Sequence, residues 1–547
     1  MTIGIKSPGT KYGNDWTGWS PLKVVFCEDD ETLAGEALDK VLSNMASRAR
    51  TIIAYVFDPE SEEAYASRPY FPVALKDSLT EAIADIDVVE TVEAKTELAE
   101  RFSRFFQQVY EGKQAYINLY DLASKLDKLE SGDLPLVEKD EFGEWVETTG
   151  TVFGNEFYDG KDALFSGCIN GTFSLEQAAN PASALGEETA AVIAAIVPEQ
   201  DNDGYYLIST PQQFVAYRAI VINQDVNVKA KLVNDIDMTG IGMKPFGNTS
   251  VGTTDAGTIY KGILDGQNHA LENVYISFYG GRRCALFYEL NSATVKNLKL
   301  TGEYHGDGQR MGGLAGWTCN ATVENCEIAV AIYNDITGDA TSGGISGVNN
   351  GTSTYNNCLV NCTFYGEKAH SFGGVCGWSD GTLNLKNTLI VSQYVNTAEE
   401  PTSWPSDVIA RHNCSIDNVY YAERSLLEGA NVRGTMATDE QLASGMITYK
   451  LNREQSDNPV WFQTLGTDEM PHLFDGATVY FRNGVYTNVA PVEGDVNKDG
   501  KVDVADAQFI LINVADGGTN LECDVNGDGK VDVADVQTVL IMIADQQ

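Results

Sequence analysis

Apolar residues between about residue 30 and residue 200 recur at helical spacing. Leu33, Ala37, Leu38, Val41, Leu42 and Met45 form one stripe, and Leu75, Leu79, Ala82 and Ile83 a second. The strongest runs through Leu98, Phe102, Phe105, Phe106, Val109, Tyr110, Tyr116, Leu119, Leu122 and Leu126. Intervals of three and four put these residues on one helix face, and aromatic stripes of this kind are core. The run "PEQDNDG" at 198–204 reads as a linker.

From Tyr205 the pattern changes to short β runs rich in Gly and Asn. Residues 204–240 read as strand, helix and strand. The helix starts near Pro211 and buries Phe214, Tyr217 and Ile220, and a β run follows from Ala230 to Ile236. This is an N-terminal cap for a repeat that begins just beyond. An apolar residue followed by x-Asn-x places Asn273, Asn297, Asn325, Asn357, Asn387 and Asn418 at intervals of 24 to 32 residues. A second motif keeps step: Gly312-Gly-Leu-Ala-Gly316, Gly343-Gly-Ile-Ser-Gly347 and Gly373-Gly-Val-Cys-Gly377.

A unit of that length made only of short strands cannot bury its own apolar face, so the units stack as coils of a parallel β-helix. The Asn sits at a turn, tolerates the left-handed conformation and bonds to neighbouring coils as a ladder. The glycines permit tight corners, and Leu314, Ile345 and Val375 stack inside. A sandwich of hairpins, the alternative, would not hold Asn and Gly-Gly in one register.

The chain has 547 residues, a formal charge of −41 and a pI near 4.3. Several domains are expected, and nucleic acid is excluded as a partner because a polyanion binder needs a Lys/Arg surface. No apolar run is long enough to span a membrane. Met1 to Lys6 lacks the basic and apolar regions of a signal peptide, and Ile3, Ile5, Leu22, Val24 and Phe26 alternate like the last strands of a sheet. The start therefore reads as truncated. Of ten Cys, seven fall in the Gly/Asn-rich region; with no CxxC and few His, buried free thiols are expected over disulfides or zinc.

The chemistry sits at the C-terminus. "DVNKDGKVDVAD" from Asp495 and "DVNGDGKVDVAD" from Asp524 are near copies, 29 residues apart. Calcium takes about six to eight oxygens, and this spacing supplies them. Positions 1, 3 and 5 give side-chain oxygens: Asp495, Asn497 and Asp499, then Asp524, Asn526 and Asp528. Gly500 and Gly529 make the sharp turn. Lys501 and Lys530 contribute backbone carbonyls, Asp503 and Asp532 bind directly or through water, and Asp506 and Asp535 close the shell. Two Ca²⁺ ions are expected. Two acidic turns that bind nothing would set five oxygens against one another without a cation.

These loops resemble a type I dockerin, a small all-α module of paired F-hands, and Asp at position 12 fits that resemblance. It implies docking to a cohesin-like or other surface protein, with partner choice at Val504-Ala505 and Val533-Ala534. Those positions lack the hydroxyl pairs of clostridial examples, which puts a clostridial-type partner in doubt. Residues 204–490, with "KPFG", "YKGILDGQNHALENVYIS" and the tail 438–474, resemble the GLUG-type right-handed parallel β-helix of Bacteroidetes and Firmicutes surface proteins. The pattern departs at Cys284-Ala-Leu-Phe287, which replaces the Gly-Gly pair. Residues 1–29 resemble the end of a jelly-roll domain, and 30–200 a helical spacer of extracellular bacterial proteins. The expected order is a remnant at 1–29, a helical domain at 30–200, the β-helix with caps at 204–490 and the dockerin-like module at 494–547. The resemblance places the protein outside the cell or on its surface.

Three functions stay open: a non-catalytic stalk or binding surface, a component of polysaccharide degradation whose catalytic domain lies upstream, and a β-helix hydrolase or lyase. Enzymes of the last kind stack two or three carboxylates on one coil face. The repeats hold no adjacent Asp pair, their His residues fall out of register, and Asp265 reads as a turn residue. Trp317 and Trp378 follow the last Gly of their repeats, with Val348 between them, and are candidates for stacking on a polysaccharide; packing at a corner is the plainer reading.

Overall fold

The computed structural model describes residues 31–57, 72–247, 259–336, 340–366, 370–396, 407–426, 430–482, 484–490, 492–517 and 520–545. The jelly-roll reading of 1–29 lies outside them. The chain divides into two compact units, 1–123 with 162–187, and 124–161 with 188–547. In the first, helix Glu31–Phe57 packs Leu42 and Ala49 against Leu79 and Ala82 of helix Val73–Asp85 and against Leu98 and Phe102. These are positions of the predicted stripes.

The second unit departs from the helical reading of 30–200. Strands Pro135–Lys139 and Trp145–Thr151 form an antiparallel hairpin. Asp140 Oδ1 accepts the amides of Phe142 and Glu144, both at 2.9 Å, and Gly143 turns at φ 84°. The hairpin joins the first coil of the β-helix: Val137 N donates to Gly240 O at 2.8 Å, and Trp145 lies 5.0 Å from Tyr275 between ring centroids.

The β-helix itself is built as its repeats demand. Strand Thr294–Gly306 pairs in parallel with Thr322–Asn334, which pairs in turn with Thr352–Val360 and Thr363–Gly366. A second parallel sheet joins Arg283–Cys284, Arg310–Gly312, Ala340–Gly343 and His370–Gly373. Leu314, Ile345 and Val375 are fully buried and bonded coil to coil, Leu314 N to Ile345 O at 3.0 Å and Ile345 N to Val375 O at 2.8 Å. Each such side chain contributes about 1.5–3 kcal/mol of burial, and the stack repeats the gain at every turn.

Five of the six asparagines form the expected column; the sixth, Asn273, falls opposite Thr301 and donates instead to Asp237 at 2.9 Å. All six have left-handed backbone, φ 43° to 57°. Asn325 Nδ2 donates to Asn297 Oδ1 at 3.0 Å and Asn357 Nδ2 to Asn325 Oδ1 at 2.9 Å. The column begins on Asp265, which accepts from Asn297 at 2.9 Å, and ends where Asn418 Nδ2 donates to Lys450 O at 2.8 Å. It jogs once, Asn387 bonding to Asn356 rather than Asn357. The repeated glycines, by contrast, are not at left-handed φ. Their constraint is space: a Cβ on Gly312 would lie 2.0 Å from Ala315 O, and one on Gly313 2.3 Å from Gly344 O.

Both ends are covered. Helix Pro211–Asn223, capped by Thr210, buries Phe214, Tyr217 and Ile220, and its Arg218 donates to the carbonyls of Lys244, Pro245 and Gly132. At the far end, residues 438–474 fold back over the outer face. Leu442, Ile447, Leu451, Trp461 and Leu473 pack with Leu359, Leu389 and Val391, and Leu473 N donates to the buried Glu327 carboxylate at 2.6 Å.

Candidate metal centre

Beyond the strand pair Tyr480–Arg482 and Val485–Thr487, the last module is a small core with two loops around it. Val496, Val502, Ala507, Ile510, Cys523, Val531, Val536 and Val539 form the core. The helices Val504–Ala515 and Val533–Asp545 each follow directly on a loop.

The two loops repeat one hydrogen-bond pattern. In the first, Asp495 accepts the amides of Asp499 and Gly500, both at 3.0 Å. Asp506 accepts those of Asn497 at 3.0 Å and Asp503 at 2.9 Å, closing the loop onto the helix that Asp503 caps. In the second, Asp524 accepts from Asp528 at 3.1 Å and Gly529 at 2.8 Å, and Asp535 from Asn526 at 3.1 Å and Asp532 at 2.9 Å. Asp499 and Asp528 take the amides of Lys501 and Lys530. Gly500 and Gly529 turn at φ 91° and 83°, where a side chain would be strained.

Asp506 and Asp535 are 0% exposed, and among the described residues neither forms an ion pair. Arg482 stands 3.8 Å from the equally enclosed Asp495. A buried carboxylate without a positive partner costs several kcal/mol. Each oxygen of these groups keeps a lone pair beyond its amide bond, so the donor set fits a hard cation. No group of three His, Cys, Asp or Glu placed to hold a metal ion occurs among the described residues; the donor set of each loop draws also on Asn497 or Asn526 and on a backbone carbonyl.

The helix faces carry what the loops do not. Val504 and Val533, the foremost partner candidates, are 66% and 64% exposed, with Ala505 and Ala534 exposed beside them. Leu511, Ile512, Leu540 and Ile541 are also exposed. The signal that marks them in the sequence is an apolar pair at the same offset in both copies, beyond what the core needs.

Residues 493–543 match the dockerin type I domain. Dockerin domains bind calcium and cohesins, and proteins carrying them are generally extracellular or at the cell surface. A search of the curated proteins gives no match to this chain. Among solved structures it resembles a candidate immunoglobulin A1 protease from Bacteroides ovatus, at 19% identity over 50% of this chain and 93% of that one, with a TM-score of 0.38. It also resembles an IgA1 protease at 13% identity over 42% and 21%, with a TM-score of 0.29. Among the described residues no helix is long and apolar enough to cross a membrane.

Trp317, Val348 and Trp378 share one ladder as expected. Both indoles are half-buried; Arg283 lies 4.5 Å over Trp317 and Arg411 4.6 Å over Trp378. The repeat region's thiols are unpaired, with Cys284, Cys326, Cys358, Cys362 and Cys376 buried and Cys319 and Cys414 half-buried.

Proposed function

We propose that the protein is an extracellular, calcium-dependent docking protein. Its dockerin module holds two Ca²⁺ ions and tethers the β-helix, a stalk or binding surface, to a cohesin-like partner. The observation that carries this reading is the pair of enclosed carboxylates, Asp506 and Asp535, each without a cationic partner among the described residues. Asp495, Asn497, Asp499, Lys501 through its carbonyl, Asp503 and Asp506 would hold one ion. Asp524, Asn526, Asp528, Lys530, Asp532 and Asp535 would hold the other. Binding free energy then becomes folding free energy for the module. The exposed Val504, Leu511, Ile512, Val533, Leu540 and Ile541 supply an apolar contact face.

The stalk reading draws support from the acids of the β-helix. Asp265, Glu289, Glu327 and Asp407 are buried but stand on different ladders, each with its own partner: Lys296, Arg283, the amide of Leu473 and Arg433. Burial raises the Asp265 carboxyl, but the bonds from Asn297, Gln267 and Lys296 outweigh it and hold the group below the ordinary range. That is a structural anchor rather than a proton donor.

Calorimetry on the full chain should show two calcium ions bound, and Asp535→Ala should leave one. Calcium removal should speed hydrogen exchange across 493–543 and leave the β-helix unchanged. A chain that takes up no calcium, or whose module exchanges equally with and without it, would overturn the reading.

A further inference from the structure

The two calcium loops differ at their fourth position, and the difference is chemical. Both need left-handed backbone there: Lys498 has φ 64° and Gly527 φ 72°. The first loop pays with strain at a lysine, whereas the second uses glycine and thereby creates the dipeptide Asn526-Gly527. An asparagine before glycine is the pair most open to attack by the following backbone nitrogen on the side-chain amide carbon, because glycine carries no side chain to block the approach.

Among the described residues the amide of Gly527 donates no hydrogen bond. The other loop glycines are unlike it: Gly500 N donates to Asp495 Oδ2 at 3.0 Å and Gly529 N to Asp524 Oδ2 at 2.8 Å. Gly527 is exposed, and nothing lies within 4 Å of where its Cβ would be. The protein itself holds the Asn526 side chain in its loop position by one bond, from Asp528 N to its Oδ1 at 2.9 Å.

Resting on the calcium reading above, we propose that Asn526-Gly527 is a calcium-guarded deamidation site. The Gly527 nitrogen bonds to Cγ of Asn526, the proton it gives up ends on Nδ2, and Nδ2 leaves as ammonia, giving a cyclic imide. One water then opens the imide at either carbonyl, leaving aspartate or isoaspartate at 526. Aspartate keeps a ligand oxygen at loop position 3. Isoaspartate inserts a methylene into the backbone and takes the loop out of register with Asp524 and Asp535, so the second site is lost. Asn526 Oδ1, serving as a ligand at loop position 3, would keep its side chain in the loop position when the ion is bound and so out of reach of the attack. The first loop, with Lys498 after Asn497, is spared in either condition.

The test incubates the full chain at mildly alkaline pH with calcium or with EGTA, followed by peptide mapping and isoaspartyl methyltransferase labelling. In EGTA the Asn526 peptide should gain the mass of deamidation and the isoaspartyl label. At calcium about 100 times Kd the open population, and with it the rate, should fall about 100-fold. Asn350-Gly351, at the end of strand Ser346–Asn350, should show no calcium dependence, and Gly527→Lys should abolish modification at 526 while calorimetry still counts two ions. Calcium binding with no protection, or faster reaction in calcium, overturns the inference and leaves the docking reading standing. No calcium binding in calorimetry overturns both.

Discussion

Asn325 stands in the middle of the asparagine column, and replacing it separates the two jobs assigned to that residue. Asn325→Ala removes the bond to Asn297 at 3.0 Å and the bond from Asn357 at 2.9 Å. Each is worth about 0.5–1.5 kcal/mol net. Alanine must also hold φ near 50°, which costs roughly 1–2 kcal/mol. The sum is about 2–5 kcal/mol. Asn325→Gly loses the same bonds but takes the left-handed turn freely, against roughly 0.5–1 kcal/mol of extra chain entropy. The glycine variant should therefore be the more stable, by up to about 1.5 kcal/mol. Stacked coils open locally, so the assay is native-state hydrogen exchange over residues 294–334. Alanine should speed exchange there by at least about tenfold, with glycine between it and the parent. An alanine variant as protected as the glycine variant would refute the backbone argument, and one matching the parent would refute the ladder as well.

The Glu327 carboxylate, 3.7 Å from His472, raises the His472 imidazole above its ordinary value. A raised folded value means stabilisation present below about pH 6.5 and lost as pH rises through the higher folded value. Protection from exchange in residues 438–474, taken relative to the unfolded chain at each pH, should accordingly fall across that window, and His472→Gln should remove the fall. Burial pushes the thiols of Cys284, Cys326 and Cys362 up to about 12. A thiol reagent at pH 8 should leave these three unmodified in the native chain and modify them after denaturation, as peptide mapping would show.

The β-helix was legible because its constraints are local and repeat. A left-handed turn selects Asn at six positions, and a missing Cβ selects Gly where backbone meets backbone, although the reason for the glycines proved to be contact rather than φ. The loops were legible for a similar reason, since ion chemistry fixes side chains at fixed offsets. The hairpin at 135–151 was missed because helical stripes flank it, though the Asp140–Gly143 turn carried a signal. The folding back of 438–474 was not readable: Leu359 and Leu389 look like any strand residues, and only the packed Trp461 and Leu473 show that this outer face is covered. Exposure of Leu511 and Ile512 was hidden likewise, because a helix stripe does not say which of its apolar residues the core has room for.

An open stack of identical rungs is a template. Its last coil offers unpaired backbone and an unfinished amide column to any similar coil that arrives, and nothing in the repeat itself limits growth. A further coil would have to donate its amide to Asn418 Oδ1, but the end of helix Met446–Leu451 stands there, its Lys450 and Leu451 carbonyls accepting from Asn418 Nδ2. That helix end makes the column finite, so the same pattern that builds a rod inside one molecule does not go on to build a fibre from many.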